Sequence, residues 1–151
     1  REIIAADLSS KPLQLALRLG ADMVVNVSAE TEVLKSLRSD AGMVDLAFET
    51  SGTTLESAFA FSCVKPGGRV IQMAQGVDMM MSPDLLISKE IEYCGAFRFH
   101  EEFEWAVDLL AKRTIDTAHL LGAAMPFRNA RAAFDLAANR EEATKVQLVF
   151  E

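Results

Sequence analysis

Short apolar runs alternate with amphipathic segments along the first two thirds of the chain. The amphipathic segments predict helices at residues 11–19 and 30–38, and a third helix that begins at the capping box formed by Thr53 and Glu56. The apolar runs predict strands at residues 3–6, 23–25, 44–48, 69–73 and 93–99. Because parallel strands need a crossover connection, strands separated by single helices predict βαβ units in an α/β fold.

The third helix and the segments that follow it carry more detailed expectations. Residues 66–68, Pro-Gly-Gly, predict a turn before the next strand. Residues 77–88 are Met-rich and are predicted to be irregular, with Met79 to Met81 as loop packing. The inner face of the third helix is predicted to consist of Leu55, Ala58, Phe59 and Ser62.

The pattern changes after Phe99. Two helices are predicted at residues 101–112 and 130–138, and a last strand at residues 146–150. We therefore expect a parallel-sheet domain at residues 1–99 and a C-terminal helix-helix-strand segment at residues 100–151. The first of these helices is expected to bury Phe103, Ala106, Val107 and Leu110, and the second Ala130, Ala133, Phe134 and Ala137.

Composition narrows the class of protein. The 151 residues are 50% hydrophobic and 25% charged, which is typical of a globular domain. The net charge of −7 and the scattered basic residues argue against a nucleic-acid partner. No apolar run is long enough to cross a bilayer, so no membrane association is expected.

The two cysteines and the start of the chain suggest a compartment and a partial sequence. Cys63 and Cys94 lie far apart in apolar surroundings, so we interpret them as core thiols in a reducing cytoplasm. No signal peptide is visible, which also favours the cytoplasm. The chain lacks an initiator Met and opens on a strand-like run, so we expect a cropped or partial sequence.

Asp7 is the most informative polar residue. It stands at the carboxyl end of a predicted strand, just before a helix. Dinucleotide-binding folds hold a ribose with an acid at this position, and its carboxylate repels a 2′-phosphate. A turn or capping Asp has the same position, and the residue alone does not separate the two interpretations.

Two later loops also follow strands. Thr50, Ser51 and Gly52 come after one strand, and Met73, Ala74 and Gln75 come after the next. In open α/β sheets, ligands bind outside the carboxyl ends of the strands. Both loops therefore suggest a ligand site, although each also fits an ordinary strand-to-helix turn.

Phe97, Arg98 and Phe99 place one cation between two aromatic residues. If this segment is a strand, alternation puts Arg98 on the face opposite the two rings. Arg98 there either clamps an anionic or carbonyl group or is a solvent-facing residue of an edge strand.

Several catalytic signatures are missing from the sequence. The sole tyrosine, Tyr93, is followed four residues later by Phe97, so the Tyr-x-x-x-Lys pair of short-chain dehydrogenases is absent. No GxSxG elbow, Walker loop or HExxH sequence occurs. His100 and His119 lack partners at metal-ligand spacing, and no residue of the chain is assigned a catalytic role.

The segments taken in order resemble the medium-chain dehydrogenase/reductase superfamily, and within it the zinc-dependent polyol dehydrogenase branch. The resemblance is carried by IIAADLSS, LALRLGADMVVN, VDLAFETSG, VKPGGRVIQM, KEIEYCGAFRF and RAAFDLAANREEATKVQLVF. It covers essentially the whole chain. It implies a partial doubly wound Rossmann sheet that lacks its first strand, and a segment at residues 100–151 that returns to a catalytic domain outside this sequence.

The resemblance also implies roles for individual residues. Asp7 would bind the adenosine ribose and favour NAD over NADP, and Lys11 lies near the basic position that assists it. Thr50, Ser51 and Gly52 would flank the adenosine side of the cleft. Met73, Ala74 and Gln75 would pass beside the nicotinamide, although a glycine is expected where Ala74 stands. Phe97 and Arg98 would contact the carboxamide end.

The activity implied by the resemblance is oxidation of a secondary alcohol of a polyol or sugar acid, with L-idonate as the leading substrate. Zinc would polarise the hydroxyl, and its ligands are expected on the N-terminal domain outside this sequence. Residues 1–151 alone are expected to be inactive and to bind NAD weakly. The segment Tyr93–Phe99 is expected to pair two subunits in a homodimer or homotetramer.

Three other functions remain open at this point. An S-adenosylmethionine-dependent methyltransferase also ends its second strand with an acid, but its sheet should close with an antiparallel hairpin. A quinone oxidoreductase-like member of the same superfamily would need no zinc. The third alternative is a binding module without catalytic activity.

Overall fold

The computed structural model describes residues 2–29, 32–39, 42–76, 82–139 and 142–150. The chain divides into two compact units, one of Arg1–Asn26 with Phe99–Glu151 and the other of Val27–Arg98. No helix among the described residues is long and apolar enough to cross a membrane. The elements in chain order are β1 (Ile4–Asp7), α1 (Ser10–Arg18), β2 (Met23–Asn26), α2 (Glu32–Leu37), β3 (Val44–Glu49), α3 (Thr54–Cys63), β4 (Val64–Gln72), α4 (Pro83–Lys89), β5 (Glu92–Gly95), α5 (Glu102–Ala111), β6 (Ala123–Pro126), α6 (Ala130–Ala138) and β7 (Val146–Val149).

The first unit contains two parallel strand pairs. β1 and β2 pair from Ile4 opposite Met23 to Asp7 opposite Asn26, and α1 connects them. β6 and β7 also pair in parallel, with α6 between them. The predicted strands at both ends of the chain are confirmed, as is α6 at residues 130–138.

The second unit is a three-stranded parallel sheet in the order β3-β4-β5. Its core consists of Phe61, Val64 and Val70, and both valines are fully buried. Residues of β3 and α4 pack against this core. Parallel strands with connecting helices confirm the α/β fold class. No strand among the described residues pairs with the free edge of β1 or of β3, which agrees with a Rossmann sheet that lacks its first strand.

The inner face of α3 differs from the prediction. Phe59 is buried, but Leu55 is 51% exposed. The helix packs against β3, β4 and α4, so it is covered from more than one side and its buried positions are not confined to one helical stripe. The buried residues of α3 are Ser57, Phe59, Phe61 and Cys63.

The prediction of a turn at residues 66–68 is also wrong, because β4 continues through them. Val44 pairs with Val64 and Leu46 pairs with Arg69, so the extra residues of β4 form an irregularity between these two pairs. Gly67 has a φ of 71°, which lets the backbone make this detour without the strain of a side chain.

Part of the segment predicted to be irregular is a helix. α4 begins at Pro83, which suits the first turn of a helix because that position needs no N–H donor. It carries Asp84 in its first turn and Lys89 in its last, as the helix dipole favours. Met79, Met80 and Met81 lie outside the described residues.

The C-terminal helices are less buried than their periodicity predicts. No residue of α5 is buried, and Phe103 is 52% exposed. In α6 Ala133 is buried, whereas Phe134 is 71% exposed. The apolar positions follow the helical period, but among the described residues most of them have no element packed over them. The strand β6 was not predicted, because its Ala-Ala-Met-Pro sequence has little of the β-branched character typical of strands.

Thr53 provides a test of the capping box. Its hydroxyl accepts a hydrogen bond from the N–H of Glu56 at 3.2 Å and donates to the Glu56 carboxylate at 2.9 Å. We expect Thr53→Ala to lower the free energy of unfolding by about 1 kcal/mol in urea denaturation. Ser82→Ala is the matched control, because Ser82 precedes α4 without a side-chain capping bond. Equal losses in the two variants would contradict this role of Thr53.

Candidate functional site

The loop after β1 presents a carboxylate. Asp7 is partly buried, and its Oδ1 accepts a hydrogen bond from the N–H of Ser9 at 2.8 Å. The side-chain amide of Asn26 at the end of β2 donates to the Leu8 carbonyl at 3.0 Å. These two hydrogen bonds fix the loop between Asp7 and Ser9, just before α1 begins.

The arrangement at Asp7 leaves one side of the carboxylate for a ligand. No hydrogen bond reaches Asp7 Oδ2 from the described residues, while Oδ1 is fixed by the turn. A carboxylate accepts hydrogen bonds and donates none, so its natural partners are hydroxyl groups such as those of a ribose. The turn interpretation of Asp7 is confirmed by the bond to Oδ1, and it leaves Oδ2 able to accept a further hydrogen bond.

Lys11 is directed to another loop of the same unit. Its ammonium group donates to the backbone carbonyl of Glu142. This contact ties α1 to the segment before β7. To interact with a cofactor at Asp7, the Lys11 ammonium group would have to give up its hydrogen bond to the Glu142 carbonyl.

The loop after β3 is built around the buried carboxylate of Glu49, which is 3% exposed. Its Oε1 accepts hydrogen bonds from the N–H of Ser51 at 2.8 Å and of Gly52 at 3.1 Å, and from the Ser51 hydroxyl. Its Oε2 accepts from the amide of Gln72 on β4. Burial raises the pKa of Glu49, but the hydrogen bonds from Ser51, Gly52 and Gln72 outweigh it and leave the pKa below its ordinary value.

The loop after β4 lies directly against the loop after β3. The carbonyl of Glu49 accepts hydrogen bonds from the N–H of Met73 at 2.8 Å and of Ala74 at 3.2 Å. A Cβ placed on Gly76 would lie 1.9 Å from the carbonyl oxygen of Gly52, so the two backbones touch. Gly52 has a φ of 71°, which also favours glycine.

The structure therefore brings together the two groups of residues suggested by the strand-end argument. Thr50 and Ser51 are exposed on one loop, and Met73 and Gln75 are exposed on the other. Gly52 and Ala74 lie at their inner side and are partly buried. The two loops form one surface at the carboxyl ends of β3 and β4.

Arg98 does not fit the predicted alternation. β5 ends at Gly95, and Arg98 has a φ of 58°, so the segment up to Phe99 is not extended as a strand. The Arg98 guanidinium lies 4.9 Å from the centroid of the Phe97 ring. The two side chains contact each other in a cation-π geometry and do not point to opposite faces. Phe97 is 60% exposed.

The described residues offer no zinc site. They contain no group of three His, Cys, Asp or Glu side chains that is able to hold a metal ion. Cys63 is buried, and burial raises the pKa of its thiol to about 11, which disfavours the thiolate that a metal needs. Cys94 is exposed and free. The chemistry that these residues offer is a hydrogen-bond acceptor at Asp7 and the exposed side chains of Thr50, Ser51, Met73 and Gln75 on the paired loops.

Sequence reasoning missed Glu49 and Gln72. The signal for Glu49 was an acid at the end of an apolar strand, followed directly by Ser and Gly residues that supply N–H donors. Gln72 carried no signal, because its role depends on a partner in the neighbouring strand. Its Oε1 is buried and has no hydrogen-bond partner among the described residues.

The tail of the chain bears on the methyltransferase alternative. That class of enzyme should close its sheet with an antiparallel hairpin. Here the last strand, β7, pairs in parallel with β6. The tail therefore argues against a methyltransferase.

Comparison with known proteins gives a consistent result. Residues 2–112 match the family described as zinc-binding dehydrogenase. The chain is 35% identical over 150 residues to L-idonate 5-dehydrogenase (NAD(P)(+)) of Escherichia coli K12, covering 99% of this chain and 43% of that protein. It is 28% identical over 123 residues to sorbitol dehydrogenase of Bacillus subtilis, covering 79% of this chain and 35% of that enzyme.

Solved structures agree with the sequence comparison. The crystal structure of L-idonate 5-dehydrogenase from Escherichia coli matches with a TM-score of 0.90 over 99% of this chain and 43% of that chain, at 35% identity. The chain thus spans less than half the length of these relatives. Because the family match extends over most of its residues, the chain belongs to the zinc-binding dehydrogenase family.

Proposed function

We propose that this chain is the dinucleotide-binding part of an NAD-dependent dehydrogenase that oxidises a secondary alcohol of a polyol or sugar acid. The names of its relatives, L-idonate 5-dehydrogenase and sorbitol dehydrogenase, support this class of substrate, and L-idonate is the first to test. The observation that carries the cofactor assignment is Asp7, a carboxylate at the end of a parallel strand with one oxygen open to a ligand.

The residues of this chain position the cofactor and leave the chemistry to other groups. Asp7 accepts hydrogen bonds from the adenosine ribose, and Lys11 assists it once its ammonium group leaves the Glu142 carbonyl. Bound NAD supplies a hydride acceptor. The described residues contain no group of ligands for the zinc ion that the family implies, and we expect those ligands on the N-terminal domain of the full-length enzyme.

The paired loops provide the remaining contacts in this proposal. Thr50, Ser51 and Gly52 flank the adenosine side, while Met73, Ala74 and Gln75 lie beside the nicotinamide. Phe97 and Arg98 meet the carboxamide end. Residues 1–99 form the dinucleotide-binding part, and residues 100–151 return to the catalytic domain. The exposed apolar side chains of α5 support this second assignment, because they need a partner surface.

Cofactor preference tests the assignment of Asp7. The name of the Escherichia coli relative includes both NAD and NADP, so preference in this enzyme needs direct measurement. We expect the full-length enzyme to prefer NAD, because Asp7 repels a 2′-phosphate. Asp7→Ser should raise the KM for NAD by about tenfold, and so reduce the preference of the enzyme for NAD over NADP. The exposed Asp45 gives a control, since Asp45→Ser should leave both KM values unchanged. Equal use of the two cofactors by the unmodified enzyme would refute the assignment.

The assembly is a further part of the proposal. Every residue of β5 is exposed, and its outer edge has no paired strand among the described residues. Such an edge favours pairing with a second copy, so we expect Tyr93–Phe99 to join two subunits of a homodimer or homotetramer. Sedimentation velocity at micromolar concentration should give at least a dimer, and a monomer would be evidence against this interface.

We also place the enzyme in the cytoplasm. The two free cysteines support a reducing compartment, since Cys63 is buried without a disulfide partner.

A further inference from the structure

Glu49 connects the two loops of the site through both its side chain and its backbone. Its carboxylate binds the N–H groups of Ser51 and Gly52 in the loop after β3. Its carbonyl binds the N–H groups of Met73 and Ala74 in the loop after β4. One residue at the end of β3 therefore fixes the backbone course of both loops.

Gln72 extends this connection across the strands. Its amide nitrogen donates to Glu49 Oε2 and also to the Ala74 carbonyl at 2.9 Å. The negative charge of Glu49 sets the orientation of this amide, because a flip would turn the amide oxygen toward the carboxylate. The loop after β4 is thus held by Glu49 directly and again through Gln72.

We propose that Glu49 is a positioning residue that holds the two loops in one fixed arrangement and thereby determines the affinity of the enzyme for NAD. The inference rests on the proposed function, because it assumes that these loops contact the dinucleotide. Glu49 is buried beneath the loops, so it acts through the exposed Thr50, Ser51, Met73 and Gln75.

The contact between Gly52 and Gly76 explains how a small change at Glu49 would alter the positions of both loops. The two backbones already touch, so neither loop has space to move toward the other. Loss of a hydrogen bond at Glu49 lets them move apart and spread the surface that they share. A preformed ligand surface binds more tightly than one that must be ordered on binding.

A glutamine at position 49 has the right size but the wrong hydrogen-bonding groups. The carboxylate offers two acceptor oxygens, and every group that faces them is a donor. In Glu49→Gln an NH₂ group must face one of these donors. If Gln72 flips to accept from it, the Ala74 carbonyl loses its partner. Either result weakens one of the two loops.

The test compares Glu49→Gln with Glu56→Gln in the full-length enzyme. Glu56 is a nearby carboxylate that accepts from the Thr53 hydroxyl and does not bridge the loops. We expect Glu49→Gln to raise the Kd for NAD, measured by calorimetry, and the KM for NAD by about tenfold. The kcat at saturating NAD should change by less than about twofold, and Glu56→Gln should leave all three constants near those of the parent. A residue with a merely structural role would lower the amount of folded enzyme without this separation of KM from kcat.

Gln72→Met keeps the inference testable if Glu49→Gln does not fold. It keeps the backbone hydrogen bonds of Glu49 and removes the amide bridge, so the Kd for NAD should rise about threefold to fivefold. Parent-like NAD affinity in a folded Glu49→Gln variant, or in Gln72→Met when the first does not fold, would overturn the inference. Equal losses in Glu49→Gln and Glu56→Gln would also overturn it. If the unmodified enzyme showed no affinity for NAD, the proposed function itself would be wrong. This outcome is seen without any variant, so it is distinguishable from failure of the inference about Glu49.

Discussion

Replacing Lys89 by methionine is expected to lower the free energy of unfolding by about 3 kcal/mol. Lys89 is 8% exposed, and its ammonium group donates to the carbonyls of Ser62 at 2.9 Å and Val64 at 3.0 Å. These carbonyls lie where α3 ends and β4 begins, and the last carbonyls of a helix have no partner within it. A positive charge there also suits the helix dipole. Methionine keeps most of the length of the side chain but leaves both carbonyls without this donor.

Lys65 supplies the control for this experiment. It lies on the same strand, β4, and its ammonium group is 3.2 Å from the carboxylate of Asp45 in an exposed ion pair. Exposed pairs contribute about 0–1 kcal/mol, so Lys65→Met should cost less than about 1 kcal/mol. Urea denaturation of the two variants measures the difference. Similar small losses in both would mean that the carbonyls of Ser62 and Val64 find other partners when Lys89 is absent.

Hydrophobic periodicity was sufficient to predict the α/β fold, because most strands and helices carry the apolar run or apolar face that is typical of their class. Burial did not follow from the pattern everywhere, since β5 and α5 contain no buried residue. β3 and α6 form close to where their patterns predict them. α4 was missed because the preceding Met-rich stretch obscures its start at Pro83. α5 shows the limit of the method, since an amphipathic pattern says that a face needs covering but not which surface covers it.

The sequence was sufficient to predict those parts of the candidate site that lie at the carboxyl ends of strands. Parallel strands place their carboxyl ends at one edge, so the loops after β3 and β4 had to be neighbours. The contact between Gln72 and Glu49 was not predictable, because it joins residues 23 apart in the sequence and depends on the register of two strands. The prediction for Arg98 failed because alternation holds only in extended backbone, and Arg98 has a positive φ.

Gly76→Ala is expected to disturb both stability and cofactor binding. The added Cβ would lie 1.9 Å from the Gly52 carbonyl oxygen and 2.7 Å from its carbonyl carbon. These atoms belong to backbone, so relief requires the two loops to separate. We expect the free energy of unfolding to fall by about 2–3 kcal/mol, as in overpacked interiors. The Kd for NAD should rise by at least about tenfold, since the separated loops no longer present one surface.

Gly95→Ala is the matched control for this substitution. A Cβ on Gly95 would meet no atom within 4 Å, and its φ lies outside the left-handed region. This variant should therefore bind NAD like the parent enzyme, while its stability also reports on the subunit contact proposed at Tyr93–Phe99. Calorimetric titration and urea denaturation of the full-length proteins provide both measurements. If Gly76→Ala kept the parent Kd while losing stability, the loop contact would serve folding and not the cofactor. If Gly76→Ala kept both the parent stability and the parent Kd, the two loops would have made room for the added Cβ. The close contact between Gly52 and Gly76 would then restrict neither folding nor cofactor binding.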